Sequence, residues 1–262
     1  MSRKINLILS VTGFIAVCVL GTLVFCGGSE ALVLDVGADS PVLRSDRQQR
    51  VIVRVLVRPE PEKTATQRRA PLAVALVLDK SGSMSSDGKM ENAKRGALEA
   101  LEIMDRRDVA AVVVYDSNAS VLVPAKSVGE QNIFSKAVSR IRPGGSTALY
   151  DGVRLGAEQL QSFVDEGYVP RIVLLSDGMA NVGPSSTEEL ARLGRTLARR
   201  EMTITTIGLG LDYNEDLMTA LASESGGNAY FAKDANTLPE IFARDMEDAV
   251  TLTARKVRVT LR

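Results

Sequence analysis

Short runs of branched apolar residues alternate along the chain with longer stretches in which apolar residues recur at helical spacing. The clearest run is Val74–Leu78, five consecutive apolar residues that end abruptly at Asp79. A continuous apolar run of this length is typical of a strand buried on both faces, as in a parallel sheet. The alternation of strand and helix from Pro71 onwards predicts a doubly wound α/β fold.

The pattern predicts a mostly parallel, six-stranded sheet flanked by helices. Besides the first strand, we expect a short antiparallel strand at 119–123 and further strands at 109–115, 171–175, 204–209 and 230–231. Helices are expected at 92–104, 132–141, 148–164, 188–200, 215–225 and 238–253. Ser186 or Thr187 is the expected N-cap of the helix at 188–200. Gly226-Gly227 is expected to end the helix at 215–225.

Two segments outside this unit are predicted to be β-strands. Residues 50–57 are rich in branched side chains, which favour strands. Residues 256–262 alternate basic or polar with apolar residues, as a half-buried strand does. We predict that the two pair antiparallel in a small accessory sheet, with the main domain (71–253) inserted between them. The extension 32–70 is expected to be irregular up to residue 50 and a charged linker after residue 59, and 254–262 would begin a truncated β region.

The first 31 residues are predicted to be a targeting segment. Two basic residues precede an apolar run from Ile5 to Phe25, which has the ~20 residues needed to span a bilayer. Ser29 and Ala31 form a small-x-small cleavage pattern, so a retained membrane anchor and a cleaved signal peptide both fit. A lipoprotein anchored at Cys26 fits less well, because Phe25 stands where a small residue is expected. With the basic residues held inside, the folded part is expected in the cell envelope, outside the cytoplasmic membrane.

Composition narrows the class of protein further. The 262 residues contain 32 lysine plus arginine and 32 aspartate plus glutamate, a balance that does not favour nucleic acid as a partner. The chain has no histidine, and its two cysteines, Cys18 and Cys26, both lie in the targeting segment. We therefore expect no nucleic-acid binding, and no disulfide in the exported part.

Oxygen-bearing side chains follow the end of the first predicted strand. Asp79, Ser81 and Ser83 place one carboxylate and two hydroxyls there. In open α/β sheets, ligands bind outside the carboxyl ends of the strands. Such hard oxygen ligands suit a hard cation such as Mg²⁺. By themselves, however, the aspartate could equally cap a turn and the serines fill a loop.

Two motifs downstream complete a larger pattern: Gly144-Gly145-Ser146-Thr147, and Ser176-Asp177-Gly178 after another predicted strand. With Asp79-Lys80-Ser81-Gly82-Ser83-Met84, they resemble the metal-ion-dependent adhesion site of von Willebrand factor A domains, which have a Rossmann-like fold. The resemblance covers about 71–253 and is strongest to bacterial exported and inter-alpha-trypsin-inhibitor-heavy-chain members. It implies a set of metal ligands, some acting through water: the hydroxyls of Ser81, Ser83 and Thr147 and the carboxylates of Asp79 and Asp177.

The resemblance also implies a function. Such a domain would be a metal-dependent binding or adhesion module, in which an Asp or Glu carboxylate of a partner protein completes the shell of the cation. Mg²⁺ is the first choice and Mn²⁺ could replace it, whereas Ca²⁺ would favour a larger shell than five such ligands provide. The alternative is a structural subunit of an envelope complex whose metal only orders the loops. A metal-assisted hydrolase ranks third, because the chain has no histidine and no spare base with an evident place beside the metal.

Residues around the predicted site are expected to set its specificity. The loops 84–88, 179–185 and 211–214 follow strands at the same edge, and loops on a rigid scaffold usually carry recognition. Lys80 would favour an acidic partner if it points outward; otherwise it is a surface lysine on a loop. Asp151, one turn beyond Thr147, would hold a water or an amide near the metal; otherwise it is an exposed helix carboxylate.

Overall fold

A computed structural model describes residues 21–25, 32–38, 53–59, 70–211 and 213–250 of the protein. These residues fall into two compact units, of which the larger spans Arg69–Leu252. None of the helices in the described ranges combines the length and apolar character that a membrane span requires. Most of the predicted targeting segment and the predicted strand 256–262 lie outside the described residues, so these two assignments stay predictions.

The smaller unit contains a three-stranded antiparallel sheet in the order β1-β2-β3. Its strands are β1 Gly21–Phe25, β2 Leu32–Ala38 and β3 Val53–Pro59. β3 overlaps the strand expected at 50–57, and it pairs with β2 so that Leu32 lies opposite Pro59. The expectation that 32–50 is irregular is wrong for β2, because Asp35 is its single charged residue and β3 supplies a partner for its backbone. β1 places five residues of the predicted targeting segment in a strand.

The larger unit is built on a six-stranded sheet in the order β6-β5-β4-β7-β8-β9, in which only the edge strand β6 is antiparallel to its neighbour. Its strands are β4 Leu72–Asp79, β5 Val109–Tyr115, β6 Ala119–Ser127, β7 Val169–Ser176, β8 Thr203–Leu209 and β9 Ala229–Ala232. All residues of β4, β5 and β7 are buried, which explains their nearly continuous apolar sequences. The predicted doubly wound fold is confirmed.

Six helices flank this sheet: α1 Lys89–Ile103, α2 Gln131–Val138, α3 Leu149–Asp165, α4 Thr187–Arg199, α5 Glu215–Ser225 and α6 Leu238–Val250. α1 begins three residues earlier than expected, because Gly88 has a left-handed backbone (φ 66°) and turns the chain into the helix. The N-cap of α4 is Ser186, whose side chain accepts a hydrogen bond from the Glu189 amide in a capping box. Gly226, with φ 77°, ends α5 as predicted.

The helices cover both faces of the sheet with separate apolar clusters. One face is packed by α1, α2 and α6, whose side chains Ala97, Phe134 and Phe242 are fully or almost fully buried. The other is packed by α3, α4 and α5 through side chains such as Leu160 and Leu190. Because both faces are occupied, the loops at the ends of the strands are where a ligand can reach the sheet, and the carboxyl ends of β4 and β7 meet at one such edge.

Candidate metal centre

Three loops that are far apart in the sequence are joined by backbone hydrogen bonds at the carboxyl edge of the sheet. The loop after β4 meets the loop before α3 twice: the Gly82 amide donates to the Gly145 carbonyl (3.0 Å), and the Gly144 amide donates to the Lys80 carbonyl (2.7 Å). The loop after β7 joins them, because the Asn181 amide donates to the Thr147 carbonyl (3.2 Å). The three predicted motifs therefore form one hydrogen-bonded cluster of loops.

Within this cluster, the side-chain oxygens of three predicted ligands are in direct contact. Ser81 Oγ and Ser83 Oγ lie 3.1 Å apart, and the Ser83 hydroxyl donates to Asp177 Oδ1 at 2.6 Å. A methyl group added at Gly178 would lie 3.5 Å from Ser83 Oγ and 4.0 Å from Thr147 Oγ1, so the threonine hydroxyl faces the same space. Ser83 is exposed whereas the other four predicted ligands are buried, which leaves the cluster open to solvent on one side.

Asp79 lies at the base of the cluster and is fully buried. Its Oδ1 accepts a hydrogen bond from the Ser81 amide (2.8 Å), and its Oδ2 accepts one from the Ser176 hydroxyl (2.9 Å). Burial raises the pKa of the Asp79 carboxyl to about 6; these hydrogen bonds oppose the rise, and the nearby Asp177 carboxylate adds to it. A buried carboxylate beside a second one is a place where bound positive charge is favourable.

Three contacts of the cluster were not anticipated from the sequence. Lys89, the first residue of α1, donates from its ammonium to Asp177 Oδ2 at 2.8 Å. The Thr147 amide donates to Asn181 Oδ1 at 2.8 Å, which fixes the backbone of the second loop against the third. Ser176 was part of a recognised motif, but its bond to Asp79 was not foreseen. Lys89 gives no sequence signal, since it lies 88 positions from its partner.

Two residues near the cluster are paired with charged side chains outside it. The ammonium of Lys80 is hydrogen-bonded to Asp116 Oδ2, so the charge of this lysine is paired with the loop after β5. Asp151 is half exposed and lies 3.6 Å from the Arg154 guanidinium. It is an exposed helix carboxylate, and its expected role near the metal finds no support.

The five predicted ligands fit a hard divalent cation by their chemistry and spacing. All their donor atoms are oxygens, which Mg²⁺ and Mn²⁺ prefer. Two adjacent ligands of an octahedral ion at about 2.1 Å are separated by about 3.0 Å, and the two serine hydroxyls lie 3.1 Å apart. No group of three or more His, Cys, Asp or Glu side chains is arranged to hold a metal anywhere in the described ranges. A metal at this edge would therefore depend on hydroxyls as well as the two carboxylates.

The fold and the site define a doubly wound α/β domain with an oxygen-lined cluster at the carboxyl edge of its sheet. The chain belongs to the von Willebrand factor type A domain family, whose model matches residues 73–244. Domains of this family generally bind protein partners, and they commonly hold a divalent metal at their adhesion site.

Relatives occur among bacterial and animal proteins. The chain is 28% identical over 218 residues to the uncharacterized protein sll0103 of Synechocystis, a match that covers 81% of this chain and 49% of that protein. It is 31% identical over 178 residues to inter-alpha-trypsin inhibitor heavy chain H3 of Bos taurus, covering 63% of this chain and 20% of that protein. The predicted resemblance to bacterial members and to inter-alpha-trypsin inhibitor heavy chains is confirmed. The chain thus spans about half or less of the length of these relatives.

Solved structures show the same fold. A von Willebrand factor type A protein from Catenulispora acidiphila matches with a TM-score of 0.66 and 20% identity, covering 86% of this chain and 52% of that one. Proximal thread matrix protein 1 from the mussel byssus, with zinc in its MIDAS motif, matches with a TM-score of 0.57 and 21% identity over 70% of this chain and 46% of that one. At these levels of sequence identity, both similarities show a shared fold.

Proposed function

We propose that the protein is a metal-dependent protein-binding module in which Asp79, Ser81, Ser83, Thr147 and Asp177 hold a divalent cation. The observation that carries this proposal is the convergence of three separated loops, which bring hydroxyl and carboxylate oxygens into contact at one edge of the sheet. Mg²⁺ is the cation that this oxygen set suits best, with Mn²⁺ as its substitute. The metal supplies a positive charge and an exchangeable coordination position.

The partner is expected to present an Asp or Glu carboxylate. Hydroxyl ligands add oxygens without negative charge, so a divalent cation held by Asp79, Asp177 and the hydroxyls would keep enough positive charge to accept an anionic group at the open side. Large apolar side chains are exposed on the loops that leave β7 and β8 at this edge: Met179 is 59% exposed and Leu211 is 80% exposed. Their exposure favours a protein surface as the partner, because methionine and other apolar side chains form the cores of protein interfaces.

A binding role fits this chain better than hydrolysis. The two carboxylates of the cluster are engaged with hydroxyls, a backbone amide and a lysine. A hydrolase of this type would need a further base beside the metal to activate water. The family is mostly known from adhesion and scaffolding proteins rather than enzymes.

Calorimetric titration of Mg²⁺ and Mn²⁺ into the full chain tests the proposal. We expect a single site with millimolar or tighter affinity, and we expect Asp177→Ala to abolish the binding because it removes one of only two carboxylates. Asp165→Ala, at the exposed end of α3, is the matched control and should bind as the wild type does. A wild-type protein that binds neither cation at millimolar concentration would show that the site is not a metal centre.

Metal binding alone does not separate a binding module from a structural subunit. We expect a surface-immobilised peptide with a single glutamate to retain the metal-loaded protein until chelator is added, whereas its glutamine counterpart should not retain the protein. If Mg²⁺ binds but the protein is retained in a metal-dependent way neither by the immobilised peptides nor by immobilised envelope proteins, the metal serves only to order the loops.

We further propose that the folded domain lies outside the cytoplasmic membrane, held there or exported by residues 1–31. The support is the long apolar run behind two basic residues. A fluorescent reporter that matures only in the cytoplasm, fused after Arg262, should stay dark. The same fusion lacking residues 1–31 should fluoresce, and bright fluorescence of the full-length fusion would refute the export of this domain.

A further inference from the structure

The only ammonium in direct contact with a proposed metal ligand, within the described part of the chain, belongs to Lys89. Its Nζ lies 2.8 Å from Asp177 Oδ2, the Lys89 side chain is 15% exposed, and the Asp177 side chain is fully buried. Asp177 Oδ1 is meanwhile bonded to the Ser83 hydroxyl at 2.6 Å. Both oxygens of this carboxylate are therefore satisfied by the chain itself.

The charges around the cluster make this contact more than a surface ion pair. Asp79 and Asp177 are both buried and repel each other. The charge of Lys80 is already paired with Asp116, which leaves Lys89 as the cation that offsets the two carboxylates. An ion pair with one buried partner is screened little by solvent, so its effect on a cation that approaches the same carboxylate is strong.

We propose that Lys89 is an internal counter-ion of the metal centre, an inference that rests on the proposed function. Without metal, its ammonium neutralises Asp177 and keeps the loop after β7 joined to the start of α1. A divalent cation that binds Asp177, directly or through water, enters a site that already contains one positive charge. Lys89 therefore lowers the affinity for metal and makes binding an exchange of one cation for another.

The surroundings of Lys89 allow such an exchange. Its side chain lines an open cavity of about 280 Å³ beside the metal centre, together with Met84 and Ile141. The carboxylate of Glu91 also lines this cavity and pairs with Lys94 at 2.7 Å. The ammonium of Lys89 can thus withdraw from Asp177 into an open space lined by another carboxylate, without disturbing the packed core.

Lys89→Met tests this role, because methionine keeps the unbranched apolar stem and removes only the charge. We expect the variant to bind Mg²⁺ and Mn²⁺ at least tenfold more tightly in calorimetry, a gain of about 1.4 kcal/mol. We also expect its melting temperature in chelator to fall below that of the wild type, since Asp177 loses its counter-ion. Lys136→Met, an exposed residue on α2, is the control for loss of one positive charge and should change neither quantity. Lys89→Arg should retain the weaker, wild-type affinity.

The possible outcomes separate this inference from the proposed function. If the wild type binds metal and Lys89→Met binds equally or more weakly, Lys89 is not a competing counter-ion, although the metal centre stands. A tenfold gain that Lys136→Met reproduces would reflect net charge alone and would likewise overturn the inference. If neither wild type nor variant binds a divalent cation, both the proposed function and this role of Lys89 are refuted.

Discussion

Replacing Arg171 by methionine is expected to lower the free energy of unfolding by about 3–5 kcal/mol, because it breaks a buried ion pair and leaves one partner charged. Arg171 Nη1 donates to Asp245 Oδ1 at 2.7 Å, joining β7 to α6, and the Asp245 side chain is fully buried. For a domain of this size, a change of 1 kcal/mol shifts the melting temperature by about 2–4 °C. Thermal unfolding followed by circular dichroism would show the loss directly.

The surroundings of Asp245 explain why the loss should be large. The Thr205 hydroxyl also donates to Asp245 Oδ1, at 2.8 Å, but Asp245 Oδ2 and Arg171 Nε are buried without a hydrogen-bond partner among the described residues. Burial raises the pKa of the Asp245 carboxyl, and Arg171 is the main influence that opposes the rise. Without the guanidinium, the carboxylate must either stay charged in an apolar place or take up a proton, and both cost stability.

Two further variants make this prediction specific. Arg95→Met removes an exposed partner that lies 3.9 Å from Glu99, and it should change stability by no more than about 0.5 kcal/mol. The double variant Arg171→Met/Asp245→Leu should recover most of the loss, because a well-packed apolar pair avoids the desolvation of both charges. A loss below about 1 kcal/mol in Arg171→Met alone would mean that the pair contributes nothing beyond an ordinary surface contact.

Asp79→Asn is expected to abolish the stabilisation of the protein by divalent cations. Metal that binds only the folded state raises the free energy of unfolding by about 2.7 kcal/mol at a hundredfold excess over its dissociation constant. Asparagine has nearly the shape of aspartate but lacks the charge that favours a cation, so the increment should vanish. In chelator, Asp79→Asn should be at least as stable as the wild type, because it removes one of two neighbouring buried negative charges.

Melting curves with Mg²⁺ and with chelator, recorded for wild type and variant, measure this effect. Asp151→Asn is the matched control: Asp151 is a half-exposed aspartate on α3 that pairs with Arg154, and its variant should keep the full response to metal. If wild type and Asp79→Asn respond equally to Mg²⁺, the cation binds elsewhere and Asp79 is not a ligand.

The sequence alone predicted the order and type of nearly all elements of the larger unit, because the central strands β4, β5 and β7 are nearly continuous apolar runs and the helices between them show helical spacing. Val109–Tyr115 was placed residue for residue, and β4 was placed to within two residues at its start. The five candidate ligands were implied by the resemblance of three short motifs to a known adhesion site, and the edge rule for parallel strands added only that the motifs after β4 and β7 lie together. β2 was missed, because a strand of a small antiparallel sheet is stabilised by hydrogen bonds to its neighbour, and no local sequence pattern identifies β3 as that neighbour.

Only the tertiary structure decided which charges meet. Lys89 and Asp177 are 88 positions apart, and Arg171 and Asp245 are 74 positions apart, so neither pair has a local signature. In the sequence, neither a lysine at the start of a helix nor an arginine in a strand indicates that it pairs with a buried carboxylate. They became informative only when packing placed their charges against buried carboxylates, because the strength of an ion pair depends on distance and burial rather than on sequence.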